Sequence, residues 1–165
     1  NVDHQIYTRH NAPDTDSHVQ MLALASGKSR SVANAFTYIA PGARDANVHQ
    51  RLWGIALDGQ PRLILRPHLE ILHDQVAAVH GATWGALPED ALFYAQQRGL
   101  APDTARRLII EGKARALLER ALPNIEGQGP DQADTSSLLS AWLEGDWLPQ
   151  AINAHLAATT PQESA

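Results

Sequence analysis

From Asn1 to about Val79 the chain is a series of short apolar stretches separated by polar breakers. The clearest are Val19-Gln20-Met21-Leu22-Ala23-Leu24, Ser31-Val32-Ala33-Asn34-Ala35-Phe36-Thr37-Tyr38-Ile39 and Arg62-Leu63-Ile64-Leu65-Arg66. Several alternate with period two, as strands with one buried face do. Between them fall Ser26-Gly27-Lys28, Pro41-Gly42, Asp58-Gly59-Gln60-Pro61, Arg66-Pro67 and His73-Asp74, combinations that turn or interrupt a strand. Strands at this spacing with no helix between them suit a sandwich, a barrel or a β-solenoid, and periodicity does not choose among these. No clean internal repeat is present, so a solenoid would be an irregular one.

After Gly85 the period changes to that of a helix. Leu87-Pro88-Glu89-Asp90 puts a proline and two acids in a first turn, Ala91, Leu92, Tyr94 and Ala95 share a face, and Gly99 stands where a helix ends. A second helix is expected from Ala101-Pro102-Asp103 to about Ala121. Its apolar stripe would hold Ala105, Leu108, Ile109, Gly112, Ala116 and Leu117, with Arg106, Arg107, Lys113 and Arg120 on the opposite face. Gly112 in a helix interior costs about 1 kcal/mol relative to Ala, so it marks either a close approach or a tolerated glycine. Residues from about 123 to 134 read as a linker, followed by shorter helices near Ser136–Glu144 and Leu148–Ala157, with Trp142, Trp147 and Leu148 as apolar anchors. The expected division is a β segment over 1–86 and a helical region over 87–165.

Composition removes several classes of chemistry. Cysteine is absent, so this chain has no disulfide, no thiolate nucleophile and no thiolate of its own for zinc or an iron–sulfur cluster. A net charge of −5 without a basic run makes nucleic acid a poor partner. No window approaches 18 consecutive apolar residues, so no membrane span is expected, and a cytoplasmic protein is. The start at Asn1-Val2-Asp3, without Met and directly in strand-like sequence, leads us to expect a piece of a longer polypeptide. Nucleophile elbows, phosphate loops and dinucleotide fingerprints are missing; Gly27-Lys28-Ser29 lacks the upstream glycine of a phosphate loop. No catalytic residue is therefore assigned, and the expectation is a protein that is not an enzyme.

The run His80-Gly81-Ala82-Thr83-Trp84-Gly85, then Leu87-Pro88-Glu89-Asp90-Ala91-Leu92-Phe93-Tyr94 and Arg98-Gly99-Leu100, resembles the signature of the SufB/SufD family. The elements fall in that family's order and spacing without a gap. Further likeness lies in Val2-Asp3-His4 with His10 and Pro13, in Ala40-Pro41-Gly42-Ala43 with Asp45-Ala46, and in Arg66-Pro67-His68-Leu69-Glu70-Ile71, so that it covers about residues 1 to 122. The resemblance implies the last turns of a right-handed parallel β-helix followed by a helical C-terminal domain. It further implies a SufD-like, non-catalytic scaffold in iron–sulfur cluster assembly, working with a SufB-like subunit and a SufC-like ABC-type ATPase, and dimeric through the β-helix edges.

In that family the His of the His-Gly-Ala-Thr turn lies near the partner contact, so the resemblance makes His80 the candidate iron or cluster ligand and metal site of this chain. The other use of His80 is to hydrogen-bond the turn. No tightly bound cofactor is implied, only a transient cluster at a subunit interface. The family's usual Asp-Val-Lys-Cys-Ser-His approach reads Gln75-Val76-Ala77-Ala78-Val79 before His80 here, and the SufB-type cysteine has no counterpart in His49-Gln50-Arg51-Leu52-Trp53-Gly54. Any thiolates must then come from the partner. His49 and His68 are the histidines that could approach His80 across neighbouring strands. The basic set Arg106, Arg107, Lys113 and Arg120 falls in the region to which the family assigns ATPase docking; otherwise it is a solvated helix face. Two further readings stay open: a paralogue that keeps the fold without cluster chemistry, and a β-helix enzyme acting on a polysaccharide through carboxylates such as Glu70, Asp74, Glu89 and Asp90.

Overall fold

The period-two stretches of the first half become six strands in the computed structural model, which describes residues 1–125 and 145–157. They are β1 (Val2–His10), β2 (Asp16–Ala25), β3 (Arg30–Ile39), β4 (Asn47–Ala56), β5 (Arg62–Ile71) and β6 (Ala77–Ala86). Odd strands form one sheet, β1-β3-β5, and even strands another, β2-β4-β6, with every pairing parallel. With the helices below, the chain is a mixed α and β protein. Arg66-Pro67, expected to interrupt the chain, lies inside β5. β5 is an edge strand, where a residue without an N–H is tolerated.

Inward positions alternate as the sequence does. β3 buries Ser31, Ala33, Ala35, Thr37 and Ile39, and β4 buries Val48, Gln50 and Leu52. One core cluster joins Val19, Ala33, Ala35 and Leu52 with Met21 and Leu65; a second joins Ile39, Ala43, Ala46 and Val48 with Leu69, Val76 and Ala78. Each draws on both sheets, so the core lies between them. Full burial of a side chain such as Ile39 or Leu52 contributes about 1.5–3 kcal/mol.

The corners are stacked as closely as the strands. Asp14 and Asp45 both take positive φ, 55° and 58°, and their N–H groups donate to the carbonyls of Arg44 at 2.9 Å and Gln75 at 2.8 Å. At the other corner Gly27 and Gly59 have φ of 60° and 66°, and Gln60 N–H donates to the Gly27 carbonyl at 2.9 Å. A Cβ on Gly59 would stand 2.7 Å from that same carbonyl oxygen. His10, 3% exposed at the end of β1, is held through Nδ1 to Thr15 Oγ1 at 2.7 Å and through Nε2 to Ser17 Oγ at 2.8 Å. The Thr15 hydroxyl donates to the carbonyl of Ala12, so it accepts from Nδ1–H and Ser17 donates to Nε2. Burial lowers the pKa of His10 from its ordinary value, partly offset by the nearby charge of Asp16.

The second unit, Leu87–Ala165, is helical in its described part. Helix α1 is Glu89–Gln97, α2 is Pro102–Ile125 and α3 is Trp147–Ala157. Gly99, with φ of 85°, ends α1 as expected: its N–H donates to the carbonyl of Gln96 at 2.9 Å and that of Leu100 to Ala95 at 3.2 Å. The buried stripe of α2 is rotated from the expected one. Ala105 and Ile110 are fully buried, whereas Leu108 is 46% exposed. A Cβ built on Gly112 meets nothing within 4 Å, so this glycine marks no close approach among the described residues. α2 also runs on to Ile125 through Pro123, at the start of the expected linker; the proline falls in the last turn, where only one intrahelical bond is forfeited. The rest of the linker and the expected helix at 136–144, with Trp142, lie outside the described residues. α3 buries Leu148, near its start, and Ile152, at its middle.

Gly59→Ala forces a left-handed backbone on a residue with a Cβ, which alone costs about 1–2 kcal/mol, and adds the contact with Gly27. Chemical denaturation should therefore show a loss of at least that size. His10 supplies a pH test. Its folded-state pKa is lowered, so the stability it contributes is fully present above the unfolded value near 6.5 and is lost as pH falls below it, because the unfolded chain then binds the proton more readily. Denaturation midpoints followed from pH 7.5 to 5 should fall, and His10→Gln should flatten that decline.

Candidate functional site

His80 is not in a turn. The family-like run His80-Gly81-Ala82-Thr83-Trp84-Gly85 forms the middle of β6, with β4 as its one neighbouring strand among the described residues. The two glycines lower the strand propensity of this stretch, and the ready-made ladder of β4 overrides it. Only Ala78 and Gly85 of β6 are even half-buried. A Cβ built on Gly81 or Gly85 meets nothing within 4 Å, so there is open space at these two positions, which take the face opposite to His80.

Register decides which face each residue takes. Val19, Gln50 and His80 form one column across β2, β4 and β6, and Ala23, Gly54 and Trp84 form another on the same face. Gly54 is there because the opposite sheet comes close: a Cβ would lie 3.2 Å from Leu65 Cδ1 and 3.3 Å from Leu63 Cδ1 and Trp84 Cβ. Val19 and Gln50 are core residues, whereas His80, on the next strand of the same column, is exposed, as no described strand lies beyond β6. Trp84, four residues on along the same face, is 73% exposed, and Val79, on the other face, is 48% exposed. Arg51, Leu52, Trp53, Val79, His80, Gly81 and Thr83 line a hollow of about 180 Å³.

The one polar side chain of the core beside His80 was not singled out by sequence. Gln50 is 0% exposed; its Nε2 donates to Thr37 Oγ1 at 2.6 Å and to the His68 carbonyl at 3.2 Å, and its Oε1 is buried without a partner. Alternation at Val48, Gln50 and Leu52 already pointed it inward, but nothing in the sequence tied it to His80.

Neither His49 nor His68 joins His80. His49 is opposite Val79, one residue from His80 and so on the other face of the sheet, where its ring stacks on His18 at 4.8 Å with 4° between planes. The His68 ring lies 6.3 Å from Phe36 in an outward ladder begun by Tyr7. Among the described residues no three His, Asp or Glu side chains are grouped so as to hold a metal ion. His80 therefore offers a single nitrogen donor. Glu89 and Asp90 occupy the first turn of α1, where carboxylates favour the positive end of the helix dipole.

The four basic residues of α2 divide. Arg106, Lys113 and Arg120 are exposed and recur every seven residues, which puts them on one stripe of the helix. Arg107 turns toward α3 and donates to Asn153 Oδ1 at 3.4 Å. No described helix is long and apolar enough to cross a membrane.

The family model described as "SUF system FeS cluster assembly, SufBD core domain" matches residues 1–113. Protein ABCI7, chloroplastic, of Arabidopsis thaliana is 36% identical over 84 residues, 51% of this chain and 18% of that protein. An iron-sulfur cluster assembly SufBD family protein of Synechocystis is 30% identical over 101 residues, 61% of this chain and 22% of that protein. The iron-sulfur cluster assembly protein SufD of Escherichia coli is 27% identical over 117 residues, 71% of this chain and 28% of that protein. The aligned stretches thus span less than a third of these relatives. All six strands, α1 and the first half of α2 lie inside the family match, and the chain belongs to the SufBD family of iron–sulfur cluster assembly proteins.

Proposed function

We propose that this chain acts as a non-catalytic, SufD-like scaffold element on which an iron–sulfur cluster is assembled as cargo. The observation that carries the reading is the exposed imidazole of His80 on the uncovered strand β6, within the family-matched residues, in a chain without cysteine. A neutral imidazole binds iron through one nitrogen, and one nitrogen is all this chain offers there. Thiolates would come from a SufB-like partner subunit. An edge strand with unpaired backbone groups is a natural seam for a second chain, which supports pairing of the two subunits through β6.

The two sheets are, in this reading, two faces of a right-handed parallel β-helix whose successive coils are β1-β2, β3-β4 and β5-β6, supported by the alternation of strands between sheets and by the stacked corners at Asp14–Asp45 and Gly27–Gly59. The stripe of Arg106, Lys113 and Arg120 is the docking surface for a SufC-like ATPase, with Arg107 bracing α2 against α3. Energy for assembly comes from that ATPase, since this chain carries no phosphate loop. The absence of cysteine favours one alternative, a paralogue that retains the fold and its interactions without touching a cluster.

His80→Ala decides between them. An exposed side chain contributes little to the fold, so melting of the free subunit should change by no more than about 0.5 kcal/mol. Iron and sulfide content of the complex reconstituted with its partner should fall. Unchanged loading would leave the fold-retaining paralogue. The purified chain alone should also turn over no ATP in a phosphate-release assay, and measurable turnover would refute the non-catalytic assignment.

A further inference from the structure

We propose that Gln50 is a positioning residue for His80: its buried side-chain carbonyl accepts a hydrogen bond from one ring nitrogen of His80 and leaves the other with a free lone pair. Three observations lead there. Gln50 and His80 are register partners on adjacent parallel strands, about 4.8 Å apart, and share a face. The orientation of the Gln50 amide is fixed, because the His68 carbonyl can only accept and so must face Nε2. That leaves Oε1 fully buried and without a partner, a costly state for an acceptor.

His80 is the next residue in the column of Gln50, and Ala78 and Ala82, which flank it on the same face of β6, carry no side-chain donor. The bond is not made in the present rotamer and requires the exposed imidazole to turn about χ1 and χ2. A neutral imidazole that donates through one nitrogen is confined to one tautomer, and metal-binding histidines commonly have their second nitrogen held in this way. Gln50, itself anchored to Thr37 at 2.6 Å, would give β6 a rigid reference for an otherwise mobile ring. The consequence for cluster binding rests on the scaffold reading; the hydrogen bond does not.

The test is the two-bond nitrogen–proton correlation spectrum of the ¹⁵N-labelled full chain, which distinguishes the two neutral tautomers of each histidine. His80 should show one tautomer, and His4, exposed on β1, the averaged pattern of a free imidazole. Gln50→Leu should convert His80 to that averaged pattern, whereas Thr37→Val, which disturbs the same core without removing the acceptor, should not. The wild-type spectrum depends on no variant folding: averaged tautomers at His80 there would overturn the proposal, as would a single tautomer that survives Gln50→Leu. Iron affinity of the reconstituted complex should fall about 10–100-fold in Gln50→Leu. A locked tautomer with loading indifferent to His80→Ala would sink the scaffold reading alone, while averaged tautomers with loading lost in His80→Ala would sink only the role of Gln50.

Discussion

The parallel register of the two sheets is the constraint on which the rest of the first unit depends. It places each residue beside a counterpart in the strand two along, as in the bond from Asn47 Nδ2 to Asp16 Oδ1 across 31 residues. Like thereby stacks on like: His18 on His49, Phe36 between Tyr7 and His68, glycine corner on glycine corner. A one-residue slip would move every inward side chain to the outer face, so Gln50 could not remain in the core nor His80 in its column. The narrowness of the core follows too. Alanines at 33, 35, 43 and 46 and the glycine at 54 let the sheets approach, which is why a single polar side chain in that space has so few partners to choose from.

Much of this was legible because burial writes itself into alternation. Strands β2, β3 and β5 contain the stretches the period selects, and α1 begins and ends where its acids and Gly99 say. The failures share a cause, which is that local chemistry was read without the neighbour that overrides it. Pro67 and the glycines around His80 look like breakers until an adjacent strand supplies the ladder. In α2 Leu108, Ile109 and Ile110 are consecutive and equally apolar, so periodicity allows more than one inward face, and only packing against neighbouring helices decides for Ile110.

The site was legible in part and for a different reason. His80 was found through a motif, which names a residue without giving its surroundings. What the surroundings add is a contrast within one column: Gln50, fully buried, and His80, exposed, differ because the stack of strands stops at β6. The change of period after Gly85 marks where the strands end, but the inward positions of the strand before it look like any other inward set, so their exposure is not written in the sequence.

That contrast bears on how a chain without thiols can serve cluster chemistry. A ligand buried in the column would be inaccessible, and one on a free loop would lack orientation. The end strand of a parallel sheet offers an intermediate arrangement, with one flank fixed by β4 and the other open among the described residues. Trp84 and Val79 leave exposed apolar surface along the same strand. A second chain that paired with the open flank would bury that apolar surface, satisfy the backbone groups of β6 and bring its own side chains into line with His80 in a single step. Subunit pairing and ligand-set completion would then be one event, so a cysteine-free chain would be constrained to hold a ligating imidazole where β6 holds His80.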